Sequence, residues 1–202
     1  MISNEDRERI ASAIRAAEAK TSGEIVCVLA RTSSDATGLP ILIAAVLALA
    51  LPWALIAFTE FTVIRILFLQ ILGFIVVAAI LCLPMLRTKL VPHGARRRAA
   101  HRAAMEQFRI HGITRKKERN GILIFVSLAE RYARIVADEG IAAKVRPTEW
   151  QAAIDALTAH MSKGRIAEGY VAAIESCGAV LATHFPLDAT SQDRLPNRIY
   201  LV

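Results

Sequence analysis

The chain is poor in the residues that usually announce chemistry. Its three cysteines, Cys27, Cys82 and Cys177, have no paired spacing, which excludes a CxxC metal or redox motif and points to three small buried hydrophobes in a reducing compartment. None is followed six residues later by an arginine, since those positions hold Ser33, Thr88 and Thr183, so no thiolate sits in a phosphate-cradling loop. There is no GxSxG, no Walker A lysine loop, no GxGxxG and no HExxH. His93, His101 and His111 are spaced by 8 and 10 residues, which does not align them on one helical face as a metal pair at i, i+4 would be. Aromatic residues make up only 6% of the chain, too few to suggest a base-stacking surface. A basic start running directly into a short apolar core is also lacking, so no cleaved export signal is expected.

Most conspicuous is the shortage of charge between residues 39 and 86, which hold one basic and one acidic side chain, Arg65 and Glu60. What is there instead is apolar: Leu39 to Phe58 and Ile66 to Leu86 are each about 20 residues long and free of formal charge. At a rise of about 1.5 Å per residue, such lengths cross roughly 30 Å of hydrocarbon. The short connector between them predicts an antiparallel two-helix transmembrane hairpin, 39–58 and 66–86, with Pro52 and Pro84 near the helix ends. Gln70 is its strongly polar member, and Gly73 allows close helix approach. Without intramembrane ionisable groups, the hairpin reads as an anchor rather than a pore.

The net charge of +7 is as uneven as the hydropathy, because residues 87–119 carry 11 Lys and Arg against 2 acidic residues. Arg87, Lys89, Arg96, Arg97, Arg98 and Arg102 crowd the exit of the second apolar segment. The positive-inside rule then predicts a multi-pass inner-membrane protein with both termini cytoplasmic. The same six side chains are expected to meet anionic lipid head groups, each contributing about 1 kcal/mol near the surface. A collar starting directly after a span argues for lipid and against nucleic acid.

Around the hairpin lies an α/β pattern. Asn4 to Lys20 repeats Ile10, Ala13, Ile14 and Ala17 at helical spacing behind a Ser3 or Asn4 cap, and Glu24 to Arg31 is a strand-length apolar run of the kind buried on both faces. Gly94 to His111 predicts a basic helix with an alanine face, Ile122 to Leu128 and Tyr132 to Asp138 an antiparallel hairpin, Thr148 to Ser162 and Arg165 to His184 two amphipathic helices, and Arg198 to Val202 a late strand. Neither flank can bury its apolar face alone. The expected architecture is a three-layer α/β/α sandwich with a small mixed sheet, interrupted by the hairpin. Its parts are 1–38 (first helix and strand), 39–86 (hairpin), 87–119 (basic helix and loop) and 120–202 (the remainder).

The run Thr21-Ser22-Gly23-Glu24-Ile25-Val26-Cys27-Val28, then Phe108 with His111-Gly112-Ile113, then Asn120-Gly121-Ile122-Leu123-Ile124-Phe125-Val126-Ser127-Leu128 with Arg131, then Ile135-Val136-Ala137-Asp138-Glu139-Gly140-Ile141, and finally Leu195-Pro196-Asn197, resembles the TPM domain family. The resemblance covers about residues 1–31 and 100–202. It implies an α/β/α sandwich, frequent membrane attachment, the acid phosphatase activity proposed for some plant members, and binding of calcium or another divalent ion such as magnesium by acidic loop residues. Here the matching positions are Asp138 and Glu139, with Asn120 nearby, while Arg119 stands where the family usually has an acidic residue. With no catalytic constellation in view, the expectation is an interaction or regulatory module, partnered by lipid and by a membrane protein, with a divalent-dependent phosphatase as the alternative.

Overall fold

The structure, a computed structural model, describes residues 2–33, 38–83, 92–111, 120–187 and 196–202. It divides into two compact units, Met1–Ser33 with Arg97–Val202, and Ser34–Arg96.

The first unit is built on a four-stranded sheet of order β3-β2-β1-β4, formed by β1 (Glu24–Ala30), β2 (Gly121–Ser127), β3 (Tyr132–Ala137) and β4 (Ile199–Leu201). β1 runs parallel to β2, from Glu24 opposite Gly121 to Ala30 opposite Ser127, and parallel to β4 on its other side; β2 and β3 form the antiparallel hairpin. Every residue of β1 and β2 is buried. Because successive side chains point to opposite faces, one continuous apolar run supplies two cores. Ile25, Cys27, Leu29, Ile122, Ile124 and Val126 share one cluster, and Val26, Val28, Ala30, Leu123 and Phe125 the other.

The first cluster also contains Ile10 and Ile14 of α1 (Asn4–Glu18), Leu157 of α6 (Gln151–Met161) and Tyr170, Ile174 and Leu181 of α7 (Ile166–His184). Helix α1 begins with a reciprocal cap, Asp6 N–H donating to Ser3 Oγ (3.0 Å) and Ser3 N–H to Asp6 Oδ2 (3.1 Å). The bonds from Ser3 hold the Asp6 carboxyl below the usual aspartate range. Helices α1 and α7 approach closely enough that a Cβ on Gly178 would lie 2.8 Å from the Ala17 Cβ. The Tyr170 hydroxyl, fully buried, donates to the Val28 carbonyl (2.7 Å). On the opposite sheet face lies α4 (His93–Ile110), whose Ala100, Ala104 and Phe108 are buried at i, i+4, i+8. The sheet is therefore mixed and helix-covered on both faces. A turn of helix, α5 (Glu139–Ala142), follows β3 with Asp138 as its N-cap; no helix is expected there from sequence, because four residues are too few for periodicity to register.

The second unit is α2 (Gly38–Phe58) and α3 (Val63–Leu81). Helix α2 continues through Pro52. Helix α3 starts three residues before the expected Ile66, taking in Arg65, because Thr62 supplies the N-cap carbonyl to the Arg65 and Ile66 amides. It ends at Leu81, five residues before the expected Leu86, with Cys82 as C-cap; Pro84 to Leu86 lie outside the described residues. Cys82 is thus half-buried, unlike the fully buried Cys27 and Cys177. The two helices pack together, a Cβ on Gly73 falling 3.1 Å from the Leu51 side chain.

Three described helices, not two, are long and apolar enough to cross a membrane: α2, α3 and α7. Length and composition cannot separate them, but burial does. The inner side of α7, from Ala167 to Leu181, is in the core of the first unit, whereas α2 and α3 leave most of their large side chains exposed.

Candidate functional site

The sheet has two polar ends. At the amino ends of β1 and β2 and the carboxyl end of β3 the structure gathers two of the expected metal ligands, Asn120 and Asp138, each only 3% exposed. Asn120 ties strands together: its carbonyl accepts the Glu24 amide (3.1 Å) and its side-chain amide donates to the Ser22 carbonyl. Asp138 N–H donates to the Gly121 carbonyl (3.0 Å), and its Oδ1 accepts the Glu139 amide (2.8 Å). Its Oδ2 is buried and has no hydrogen-bond partner. Glu139 is exposed. A calcium shell takes six to eight oxygens, several of them carboxylate. Of the three expected ligands only Asp138 brings a buried carboxylate oxygen, the Asn120 side-chain amide is already used between strands, and although Glu24 is also buried at this end, no group of three His, Cys, Asp or Glu able to hold a metal occurs among the described residues. These residues do not fit a calcium or magnesium centre. Arg119 lies outside the described residues.

The expected head-group residues separate as well. Arg97, Arg98 and Arg102 are exposed on α4, Arg98 and Arg102 on the side away from its buried alanines, while Arg96 is half-buried with its guanidinium 3.2 Å from His93; Arg87 and Lys89 lie outside the described residues. The histidines do not converge. Arg134 donates to His101 (3.0 Å), and His111 stacks on the Tyr200 ring with centroids 4.0 Å apart. Partial burial and the Arg198 charge lower the His111 pKa below the usual 6.5. Burial drives the Cys27 thiol well above its ordinary value and the Cys177 thiol up to about 12, so neither is a nucleophile at neutral pH.

The opposite end of the sheet escaped the sequence reading. Where β1 and β2 end, Ser33 Oγ donates to Ser127 Oγ (2.8 Å), Ser127 Oγ donates to Glu130 Oε2, Thr32 Oγ1 donates to Glu130 Oε1 (3.2 Å), and the Ser33 amide donates to Glu130 Oε2 (3.0 Å). Beside this cluster is a cavity of about 310 Å³ between the β2–β3 turn and the end of α6. Ser127, Arg131 and Tyr132 line one side and Thr158, Met161 and Ser162 the other. In open α/β sheets, ligands collect outside the carboxyl ends of parallel strands. One local signal was present, a serine closing a strand that is otherwise entirely apolar; its partner Ser33 is 94 positions away.

Against known families, the model of the TPM domain matches residues 88–180. These residues carry a TPM domain. The match starts before α4 and stops within α7. Strands β1 and β4 of the same sheet come from chain outside the matched residues. Among solved structures, the chain is similar to the BA42 protein of the psychrophilic bacterium Bizionia argentinensis, determined by NMR, at 23% identity and a TM-score of 0.63, over 100% of this chain and 96% of that one. At that identity the likeness establishes the fold. No curated protein matches the chain.

Proposed function

We propose that this chain is a membrane-anchored TPM-domain protein of the inner membrane, held by α2 and α3 with both termini in the cytoplasm, and that its α/β unit is an interaction or regulatory module rather than an enzyme. The observation that carries the anchor is the surface of α2 and α3. Twenty large hydrophobic side chains between Leu39 and Leu83 are exposed, among them Trp53 at 80%, Phe58 at 87% and Ile64 at 80%. Moving a large apolar side chain out of water is worth about 1.5–3 kcal/mol, so this surface favours hydrocarbon by an amount on the order of 30 kcal/mol. The arginines exposed on α4 support a head-group contact and the cytoplasmic orientation. Anionic lipid is the first partner on this reading, and a membrane protein bound through the α/β unit the second.

The reading as a module rests on the sheet ends. The alternative, a divalent-dependent phosphatase, is favoured by the buried Asp138 Oδ2 alone, and the donors around it fall short of a metal shell. The deciding experiment measures hydrolysis of p-nitrophenyl phosphate by the detergent-purified full chain, with calcium, magnesium or chelator. The expected result is no metal-dependent turnover. Turnover that requires the metal and disappears in Asp138→Asn overturns the module reading. Orientation is tested by reporter fusion at the C-terminus, where alkaline phosphatase activity in the periplasm would overturn the cytoplasmic assignment.

A further inference from the structure

The cavity at the carboxyl end of β2 combines a strained backbone, an uncommitted cation and an apolar wall. Arg131 has φ of +48°, the only non-glycine residue with positive φ among the described residues. This left-handed conformation suits glycine or asparagine; arginine is uncommon there, and such positions cluster at ligand sites. The Arg131 guanidinium makes no hydrogen bond or ion pair among the described residues. The adjacent Glu130 carboxylate is turned to the other side of the turn, where it accepts from Thr32, Ser33 and Ser127, and forms no ion pair with Arg131. Two of the cavity hydroxyls are turned away as donors: Thr158 Oγ1 donates to the Ile154 carbonyl (2.9 Å) and Ser162 Oγ to the Ala159 carbonyl (2.8 Å). Arg131 is therefore the cationic donor of a cavity whose Val126, Ala133 and Met161 are apolar, at the lower end of the 300–1,000 Å³ that small-molecule sites typically occupy.

We infer that this cavity binds a small organic anion, its carboxylate or phosphate paired with Arg131 and its apolar body resting on Val126, Ala133 and Met161. The pairing is a charge-assisted, bidentate one that lysine reproduces only as a point charge. It is independent of the anchor and of the phosphatase alternative, since no bond is made or broken.

The test uses the full chain in nanodiscs of zwitterionic lipid, with ¹H–¹⁵N spectra titrated by hexanoate, phenyl phosphate, hexanol and inorganic phosphate. Saturable shifts at Ser127, Tyr132 and Ser162 are expected with at least one of the two amphiphilic anions; whichever binds identifies the head group. Arg131→Gln should weaken that binding by about tenfold, and Arg131→Lys by less. Arg131→Gly, which relieves the positive φ, should raise the thermal midpoint and still lose binding. Absence of saturable shifts with both amphiphilic anions, equal binding by hexanol, or unchanged affinity in a folded Arg131→Gln or Arg131→Gly variant overturns the proposal. Inorganic phosphate binding as tightly as phenyl phosphate overturns the apolar half of it.

Discussion

Of the large hydrophobic residues exposed in the described structure, twenty lie between Leu39 and Leu83 and five, Ile110, Leu128, Leu187, Leu201 and Val202, in the α/β unit. Both units draw on the same aliphatic residues. In the sheet, side chains alternate between two helix-covered faces, so Ile122 and Leu123 are neighbours in sequence and each fully buried. In α2 and α3 only one narrow side of each helix meets protein, and the rest faces outward. Apolar content therefore does not define a core; what defines it is the number of faces that other elements cover. Helix α7 shows the distinction within a single element, apolar enough to resemble a span and yet committed to the sheet through Tyr170, Ile174, Cys177 and Leu181.

The sharpest way to break the contrast is to remove one side of it. The full chain should sediment with membranes, and replacing residues 34–96 by a long flexible linker should leave the α/β unit folded and in the supernatant without detergent, read by fractionation and circular dichroism. A variant that is insoluble or unfolded would show that the two units are not separable. Next in size is a paired truncation. Leu157→Ala, in the sheet core with no exposure, should lower unfolding free energy by about 2–5 kcal/mol. Leu49→Ala, 66% exposed on α2, should change it by less than about 1 kcal/mol in detergent. Equal losses would erase the distinction between a helix that packs on the sheet and one that leaves its apolar side chains exposed. Tyr170→Phe should cost about 1–2 kcal/mol in denaturant titration, because the Val28 carbonyl would remain buried without the hydroxyl that now donates to it.

The smallest effect concerns pH. The His111 pKa is lowered in the folded protein, so the folded state binds fewer protons than the unfolded state between the depressed value and 6.5. The stabilisation from keeping the ring neutral is present above 6.5 and is lost as pH falls through that window. His111→Gln should flatten the thermal midpoint between pH 7 and the acid side of that window, at the expense of the ring stacking on Tyr200. An unchanged pH slope in this variant would assign the acid sensitivity in that window to groups other than His111; the Asp6 carboxyl, held below the usual aspartate range, acts only at lower pH.

Much of the fold was legible because its signals are local. The Ser3 and Asp6 cap, the apolar run Ile25 to Ala30, the alanine face of α4 and the short link from Ser127 to Tyr132 each state their own conformation within a few residues. Errors arose where a boundary depends on a single backbone bond, as at Thr62, or where an element is too short for periodicity, as with Glu139–Ala142. The candidate site was less legible. Asp138 and Asn120 do meet at one end of the sheet, but the sequence could not show that the Asn120 amide is engaged by Ser22 or that Glu139 turns outward. The Ser33, Ser127 and Glu130 cluster left only a weak trace.

The sequence by itself determined where water and hydrocarbon preferences change along the chain, because hydropathy, charge and helical or strand period are summed over neighbouring residues. Only the tertiary structure decided the order β3-β2-β1-β4, the burial of Asp138 and the cavity over Ser127. Those depend on register: β1 and β2 pair across about 90 residues of intervening chain, and which side chains then share an end is set by how buried faces fit together rather than by any local preference.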